Sequence, residues 1–358
     1  MAGHEAELAH PTGPDPGAGA PEHFVRVEER ACADPRWHFG LLLPRDSVRA
    51  GGAAKGPSDE RRTVSLGLYQ RLAPAGDVEV MGRLLHSEID PADWLDKALA
   101  DLGRAVVSRR PVPLLGGVVG DAVASWEHEG ESFAGRFVAT KWGPRLFVAC
   151  CRTRRADYAA LADDFFASAA SLRPLAACAG AFAEDVNFVE QDRPFAWRVA
   201  VPESWEIVRH PAIDEGAWFE ATHIAPGPPG EQVGERDGKL ALAVMARSCA
   251  RRPRDAADVL LAALRENGVE IAHADFADEP TGPAGPAHEP FAQSWYLTSP
   301  IVRYEAHGEL RCRVMMHEQA WVVCGVLGPT AEDDAEAWMR NKRVLDVARA
   351  TLELAPAL

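Results

Sequence analysis

The sequence predicts an α+β protein made of two tandem domains, and three observations support this fold class. The chain has 358 residues, which is about the length of two domains of ~100–200 residues each. Apolar residues make up 47% of the chain, enough for each half to bury a core of its own. Strand-like alternation, helical stripes and a hairpin also recur in the same order in both halves, which indicates an internal duplication.

Each half opens with a strand pattern that ends at a proline. Residues 37–44 (WHFGLLLP) and 195–202 (FAWRVAVP) carry large apolar side chains at every second position. In the first half, alternating runs follow at 63–70 and 78–85. The matching runs of the second half lie at 218–224 and 240–246.

A helix signal comes next in both halves. In the first, Asp90 is predicted as the N-cap, Pro91 as the first helical residue and Gly103 as the end of the helix. The corresponding helix of the second half is predicted to start at Asp255 and to end at Gly268. A two-turn apolar stripe follows each start, as expected for a helix packed on a core.

Each half then closes with strand-like runs and a second helix. A Gly143-Pro144 turn is predicted to join two strands of the first half into a hairpin, and the second half repeats that pattern about 175 residues later. The predicted strands cover 122–127, 133–141 and 146–151, then 292–297, 302–306, 310–317 and 321–327. The last helices are predicted over 158–172 and 330–352, with Trp338 in the buried stripe of the second.

Composition sets the domain boundaries. Residues 1–23 contain four prolines and no apolar segment of signal-peptide type, so we expect a disordered tail. The first domain is predicted over 24–175 and the second over 184–358. The alanine-rich stretch 176–183 is predicted to link them.

Charge and cysteine usage exclude several classes of protein. A net charge of -15 opposes nucleic-acid binding, because a phosphate-binding face needs excess Lys and Arg. The seven cysteines are odd in number, and the adjacent Cys150 and Cys151 are expected to be buried thiols on opposite sides of a strand. A reducing cytoplasmic location is the simplest expectation, and no run approaches the ~18 apolar residues of a membrane helix.

Motifs of common enzyme classes are missing from the sequence. The chain has no H-E-x-x-H, G-x-S-x-G or G-x-x-x-x-G-K-[ST] pattern and no Cys/His spacing typical of a metal site. We therefore predict a protein without catalytic residues, metal or cofactor. An enzyme with an unrecognised site in a cleft between the halves remains an alternative.

The proline-terminated strand followed by tryptophan (Pro202-Glu-Ser-Trp205), with a final hairpin and C-terminal helix, resembles the PsbP-like/DcrB-like family. The resemblance covers 24–175 and 184–354, and the first half departs from it by carrying Ser47 where the second has Trp205. It implies an antiparallel sheet packed with helices. It also implies a binding module, since the family includes the Eag-type adaptor chaperones of type VI secretion, whose paired sheets hold apolar helices of effectors.

On that resemblance, the duplicated chain looks like a covalently linked dimer of such domains, an intramolecular pseudo-dimer. Helices on one face of each sheet would leave the other face free for a guest helix of a secreted effector. Trp126, Trp218, Trp295 and Tyr304 are the candidate partner-binding residues if they face that open side, and core residues if they do not. A structural subunit of a larger assembly is a further alternative.

Overall fold

A computed structural model of the chain divides it into two compact units, Met1–Ala183 and Glu184–Leu358. None of the helices in the described part of the chain is long and apolar enough to cross a lipid bilayer. The residues described are 22–51, 56–57, 62–110, 112–114, 117–178, 180, 182–192, 196–209, 216–224, 236–271, 275–276, 293–303 and 306–354.

In its described residues, unit 1 has a large and a small antiparallel sheet and two α-helices. The large sheet has the strand order β3-β4-β5-β10-β9-β8-β6, with β7 also paired to β8, and the small sheet has the order β1-β2-β11. The elements are β1 Phe24–Glu29, β2 Phe39–Pro44, β3 Val48–Ala50, β4 Val64–Leu72, β5 Ala75–Leu84, α1 Pro91–Asp101, β6 Ala105–Arg109, β7 Val112–Leu114, β8 Gly117–His128, β9 Glu131–Trp142, β10 Arg145–Arg154, α2 Tyr158–Ala170 and β11 Arg173–Pro174.

Unit 2 repeats this topology strand for strand. Its large sheet has the order β14-β15-β16-β21-β20-β19-β17, with β18 also paired to β19, and its small sheet has the order β12-β13-β22. The elements are β12 Val186–Gln191, β13 Trp197–Pro202, β14 Trp205–Arg209, β15 Gly216–Ile224, β16 Arg236–Ala246, α3 Pro253–Glu266, β17 Glu270–Ile271, β18 Asp275–Phe276, β19 Gln293–Arg303, β20 Ala306–Met316, β21 Ala320–Gly328, α4 Ala335–Thr351 and β22 Glu353–Leu354. The predicted fold class, two tandem α+β domains, is confirmed.

The helix starts follow from capping. Asp90 caps α1 by accepting a hydrogen bond from the Ala92 amide at 2.8 Å, and the chain leaves that helix through Gly103 at a φ of +65°. Helix α3 begins at Pro253, two residues before the predicted start at Asp255. The Asp255 carboxylate instead lies at the third helical position and accepts from the Arg252 amide at 3.0 Å.

Two strand predictions are wrong in detail. Trp37 ends a short 3₁₀ helix rather than opening β2, although its side chain is buried as expected for a core residue. Residues 293–297 and 302–303 of the two predicted runs belong to one strand, β19, which continues through Pro300, whereas Ala306 opens β20. Pro300 lies between the stretch of β19 that pairs with β18 and the stretch that pairs with β17, and on its other side it is in register with Glu309 of β20.

The two helices of unit 1 lie on opposite faces of its large sheet. Val123 of β8 packs in one core cluster with Leu161 of α2. The opposite side of β8 faces α1, because a Cβ added to Gly120 of β8 would meet the Cα of Ala92 in α1 at 2.8 Å. Since side chains alternate across a strand, α1 and α2 sandwich the sheet.

Unit 2 shows the same arrangement. Ala243 of β16 packs with Leu260 of α3, whereas the next residue, Val244, packs with Val344 of α4. The expectation that helices cover only one face of each sheet is therefore wrong. A partner has at most part of a face available to it, namely the part beyond α1 or α3.

The segment 176–183 is bonded to unit 1 at several described points. Arg145 Nη2 donates to the carbonyl oxygens of Ala176 at 3.1 Å and Ala177 at 3.2 Å. At the far end, the Ala183 amide donates to Glu88 Oε2 at 2.5 Å. Ala176, Ala177 and Ala183 are therefore part of the packing of unit 1.

Candidate partner-binding surface

Helix α1 packs on β6, β8 and β9, and the same face of the sheet continues over β3, β4 and β5. The register places Val48 opposite Gln70 and Leu68 opposite Glu79, all on this side. Val48 is 63% exposed, and Leu68 and Met81 are half-buried. We call Val48, Leu68, Gln70, Glu79 and Met81 the α1-side surface.

Paired charges border the α1-side surface. Arg152 of β10 lies 3.3 Å from Asp77 and 3.3 Å from Glu79. All three side chains are partly exposed, so these ion pairs contribute little to stability and leave the carboxylates accessible. An apolar patch with a polar rim is the general composition of protein interfaces.

Unit 2 carries an equivalent α3-side surface, which we define as Glu206, Val208, Trp218, Glu220 and Lys239. Val208 of the end strand β14 pairs with Glu220 and is 44% exposed. Trp218 lies two residues from Glu220 on the same side of β15, is half-buried, and packs against the α3 core. Lys239 donates to Glu220 at 3.0 Å, so an apolar pair again lies beside charged groups.

Trp126 lies on the α1 side of β8 and is half-buried. Its ring stacks on Phe133 with centroids 5.8 Å apart, and the Arg104 guanidinium lies 4.5 Å from the indole centroid. Arg104 also lies 4.7 Å from the Phe137 ring. Burial against these rings lowers the pKa of Arg104, and the cluster presents an aromatic edge with a cation over it.

The other two predicted residues do not add to these surfaces. Trp295 faces the α3 side but is only 6% exposed, with its ring 6.0 Å from that of Trp321, so it belongs to the core and is removed from the candidate site. Tyr304 lies outside the described residues. The structure thus brings Trp126 and Trp218 to corresponding faces of the two units.

The sequence patterns did not predict the exposure of Val48 and Val208. Along β14, Trp205 and Ile207 face the core, so Val208 falls at a position where the alternation calls for a polar side chain. An apolar residue on the solvent side of an end strand is the signal that identifies it.

Unit 2 also holds a buried polar network around Asp237. His223 Nδ1 lies 2.6 Å from Asp237 Oδ1, Arg340 binds the other carboxylate oxygen, and Asn341 Nδ2 donates to the Asp237 carbonyl at 2.8 Å. The rings of His223 and Trp205 pack edge to face, with their centroids 5.6 Å apart. The network ties β15 and β16 to α4, and no group of three or more His, Cys, Asp or Glu among the described residues is arranged to hold a metal.

Trp338 of α4 is half-buried, which corrects its assignment to the buried stripe of the helix. Its ring carries Arg311 at 4.2 Å and Lys342 at 5.4 Å and lines a shallow depression beside β20. Two cations over one indole explain why a large aromatic residue is tolerated near solvent.

Comparison with known proteins gives likenesses of structure only. No family model and no curated protein matches the chain. A Bacteroides thetaiotaomicron protein is 14% identical over 38% of the chain with a TM-score of 0.26, and the chain spans 45% of its length. PsbP (CyanoP) of Synechocystis sp. PCC 6803 is 12% identical, with 51% of this chain and 100% of that one covered and a TM-score of 0.30.

The type VI secretion immunity protein TplEi of Pseudomonas aeruginosa is also similar. It is 10% identical, with 89% of this chain and 95% of that one covered and a TM-score of 0.23. At these values the similarity concerns the fold, and no function follows from it for this chain.

Proposed function

We propose that the chain is a non-enzymatic protein-binding module in which each unit presents one binding surface. One observation carries the proposal: α1 and α3 each cover part of a sheet face, and exposed apolar residues lie on the rest of it. Val48 and Val208 are 63% and 44% exposed on the end strands of the two large sheets. Trp218 lies beside Val208 on the α3-side surface.

The chemistry of the α3-side surface suits a peptide or protein partner. A half-buried tryptophan next to an exposed aliphatic side chain supplies an anchor of the kind that dominates interface energies. Exposed Glu206 supplies a polar group at the border, and the Glu220–Lys239 ion pair lies on the same side of the sheet with side chains only 8% and 16% exposed. The end strand β14 also offers backbone groups to which an extended segment can pair.

We further propose that the partner is an apolar segment of a secreted protein, which the chain shields as an adaptor in the cytoplasm. Supporting this, the net charge of -15 keeps carrier molecules apart while an apolar segment is held. The acidic borders favour a segment flanked by Lys or Arg. Two surfaces on one chain bind a two-site partner with a raised effective concentration.

The test uses the full chain co-expressed with secreted proteins encoded beside it. Trp218→Ala and Val208→Asp should each weaken the complex at least about tenfold, the effect of losing an interface anchor. Val25→Asp is the matched control, because Val25 is 40% exposed on β1 and belongs to neither surface.

Two results would overturn the proposal. One is the absence of any complex and of any gain in solubility of the co-expressed proteins. The other is a complex that Val208→Asp and Val25→Asp weaken equally. Turnover of a substrate by the purified chain, lost in His223→Asn, would refute its non-enzymatic part.

A further inference from the structure

The end strand β14 of unit 2 is built differently from the corresponding end strand of unit 1. Strand β3 has three residues and carries the Arg49 side chain, which is bonded to Glu29 at 2.6 Å. Strand β14, Trp205–Arg209, has five residues, no proline or lysine, and an unbroken register with β15. Very short end strands, prolines, lysines and bulges are devices that prevent an end strand from pairing with another chain. Strand β14 has none of these four.

The backbone of β14 is paired on one side only in the described part of the chain. It is the first strand in the order β14-β15-β16, and it pairs with β15 from Trp205 opposite His223 to Arg209 opposite Phe219. In an antiparallel pair, every second residue of an end strand directs its N–H and C=O groups away from the sheet. One further strand can bond these groups, and a segment as long as β14 is enough to do so.

The side chains of β14 offer such a strand three different contacts. On the α3 side, Val208 is 44% exposed and Trp218 lies on the neighbouring strand. Two residues before Val208, Glu206 is exposed, and its carboxylate has no ion-pair partner among the described residues. Ile207 lies on the other side of the strand, half-buried against the core on the α4 side. An added strand therefore meets two apolar side chains on opposite sides and one carboxylate.

We propose that β14 binds an extended segment of the partner as an antiparallel strand, and that this segment reads apolar, β-branched, then Lys or Arg from its N- to its C-terminus. The inference rests on the proposed function, because it specifies the partner segment of the α3-side surface. Antiparallel pairing continues the pattern of the whole sheet and is the more stable of the two directions.

The order of the three residues follows from the geometry of antiparallel strands. The residue opposite Val208 precedes the residue opposite Glu206 by two positions, and both lie on the α3 side. The first therefore packs on an exposed aliphatic side chain, and the second pairs its positive charge with a carboxylate. The residue between them lies on the α4 side beside Ile207, where a β-branched side chain suits a half-buried strand position.

Other occupants are less complementary to β14. A second copy of β14, paired antiparallel about Ile207, would place Val208 opposite Glu206, an apolar side chain against a charge. A helix could pack on the α3-side surface but would leave the outer N–H and C=O groups of β14 to water. An acidic segment is selected against, because like charges directly opposite each other destabilise a strand pair.

The test uses the full chain and three blocked seven-residue peptides, which carry Val-Ile-Lys, Lys-Ile-Val or Val-Ile-Glu between the same Ser-Thr flanks. Fluorescence anisotropy should show that Val-Ile-Lys binds about threefold or more tighter than the other two, the scale of a cross-strand charge pair. Glu206→Lys should make Val-Ile-Glu the preferred peptide. Val25→Asp is the matched control, since Val25 is an exposed valine on the end strand β1 of another sheet, and all three affinities should stay unchanged.

Hydrogen exchange separates this inference from the proposed function. In a complex with the Val-Ile-Lys peptide or with a co-expressed partner, the outward amides of β14 should exchange about tenfold or more slowly than in the free chain. Unchanged exchange in a partner complex that Val208→Asp still weakens would overturn strand addition and leave the proposed function standing. A preference for Lys-Ile-Val, the same preference in Glu206→Lys, no binding of any peptide, or a dimer of the free chain that Val208→Asp dissociates would also overturn the inference.

Discussion

Replacing Lys141 by methionine tests the buried ion pair that contacts Ala183, the last residue of unit 1. The Lys141 ammonium is bonded to Glu88, and each side chain is 1% exposed. Glu88 also accepts the Ala183 amide, so its carboxylate is held in place when the lysine is gone. Lys141→Met should therefore lower the free energy of unfolding by about 3–5 kcal/mol, the cost of leaving one buried charge without its counter-ion.

An exposed ion pair of the same unit provides the control for this value. Lys97 and Asp101 lie one turn apart on α1, 42% and 59% exposed. Because water screens this pair, Lys97→Met should cost only about 0.3–0.5 kcal/mol. The ratio between the two lysines measures what burial contributes.

The double variant Glu88→Gln/Lys141→Met separates charge burial from packing. It removes both charges and keeps an amide oxygen that can accept from Ala183. It should recover most of the loss, with a coupling energy of about 2 kcal/mol or more between the two sites.

Urea unfolding followed by tryptophan fluorescence gives these differences, provided the m-value is unchanged. A loss of less than about 1 kcal/mol in Lys141→Met, the value of an exposed pair, would contradict this prediction. The prediction is also refuted if the double variant is no more stable than Lys141→Met.

The thiols, two glycines and one buried carboxylate provide three more tests. Cys178 and Cys249 are exposed, and the other five cysteines are buried. The two exposed thiols should therefore react first with a maleimide, and the other five only after unfolding. Mass spectrometry that finds a third thiol reacting equally fast would contradict this prediction. Gly143→Ala and Gly103→Ala should each cost about 1–2 kcal/mol in urea unfolding, since φ is positive at both and the Cys178 thiol near Gly143 is an exposed side-chain end that can turn away; no loss of stability in either variant would contradict the strain. Burial raises the pKa of Glu29, but hydrogen bonds from one amide and two side chains outweigh it and hold the folded pKa below the usual value. The stability this confers is complete above pH of about 4.3 and is lost as the pH falls through the folded pKa, so Glu29→Gln should flatten the acid limb of the stability curve.

Local patterns in the sequence were sufficient for the helices and the long hairpins. The Gly143-Pro144 turn joins β9 to β10 as predicted, because a two-residue connection needs residues that tolerate its backbone angles. Proline at the first helical position marks both α1 and α3, yet the second start was misread. Asp255 suits both an N-cap and the third helical position, and the backbone places it at the third position after Arg252.

What the sequence could not provide was the side of the sheet on which each element packs. An apolar stripe on α1 or α2 shows only that the helix packs on a core, and it does not tell which face of the sheet the helix covers. Trp295 and Trp218 show the same limit, since both lie in similar strands but one is core and the other half-buried. The difference comes from α3, which contacts β20 and β21 near Trp295.

The small sheet of each unit brings the two ends of that unit to the same part of the fold, which matters for tandem duplication. The first and last strands of unit 1, β1 and β11, flank the same strand β2, as β12 and β22 flank β13 in unit 2. From the strand rise and spacing, the chain enters at Phe24 and exits at Pro174 about 20 Å apart. A second copy can therefore be appended head to tail without opening either sheet, and a linker of about eight residues could instead close one unit into a circular permutant.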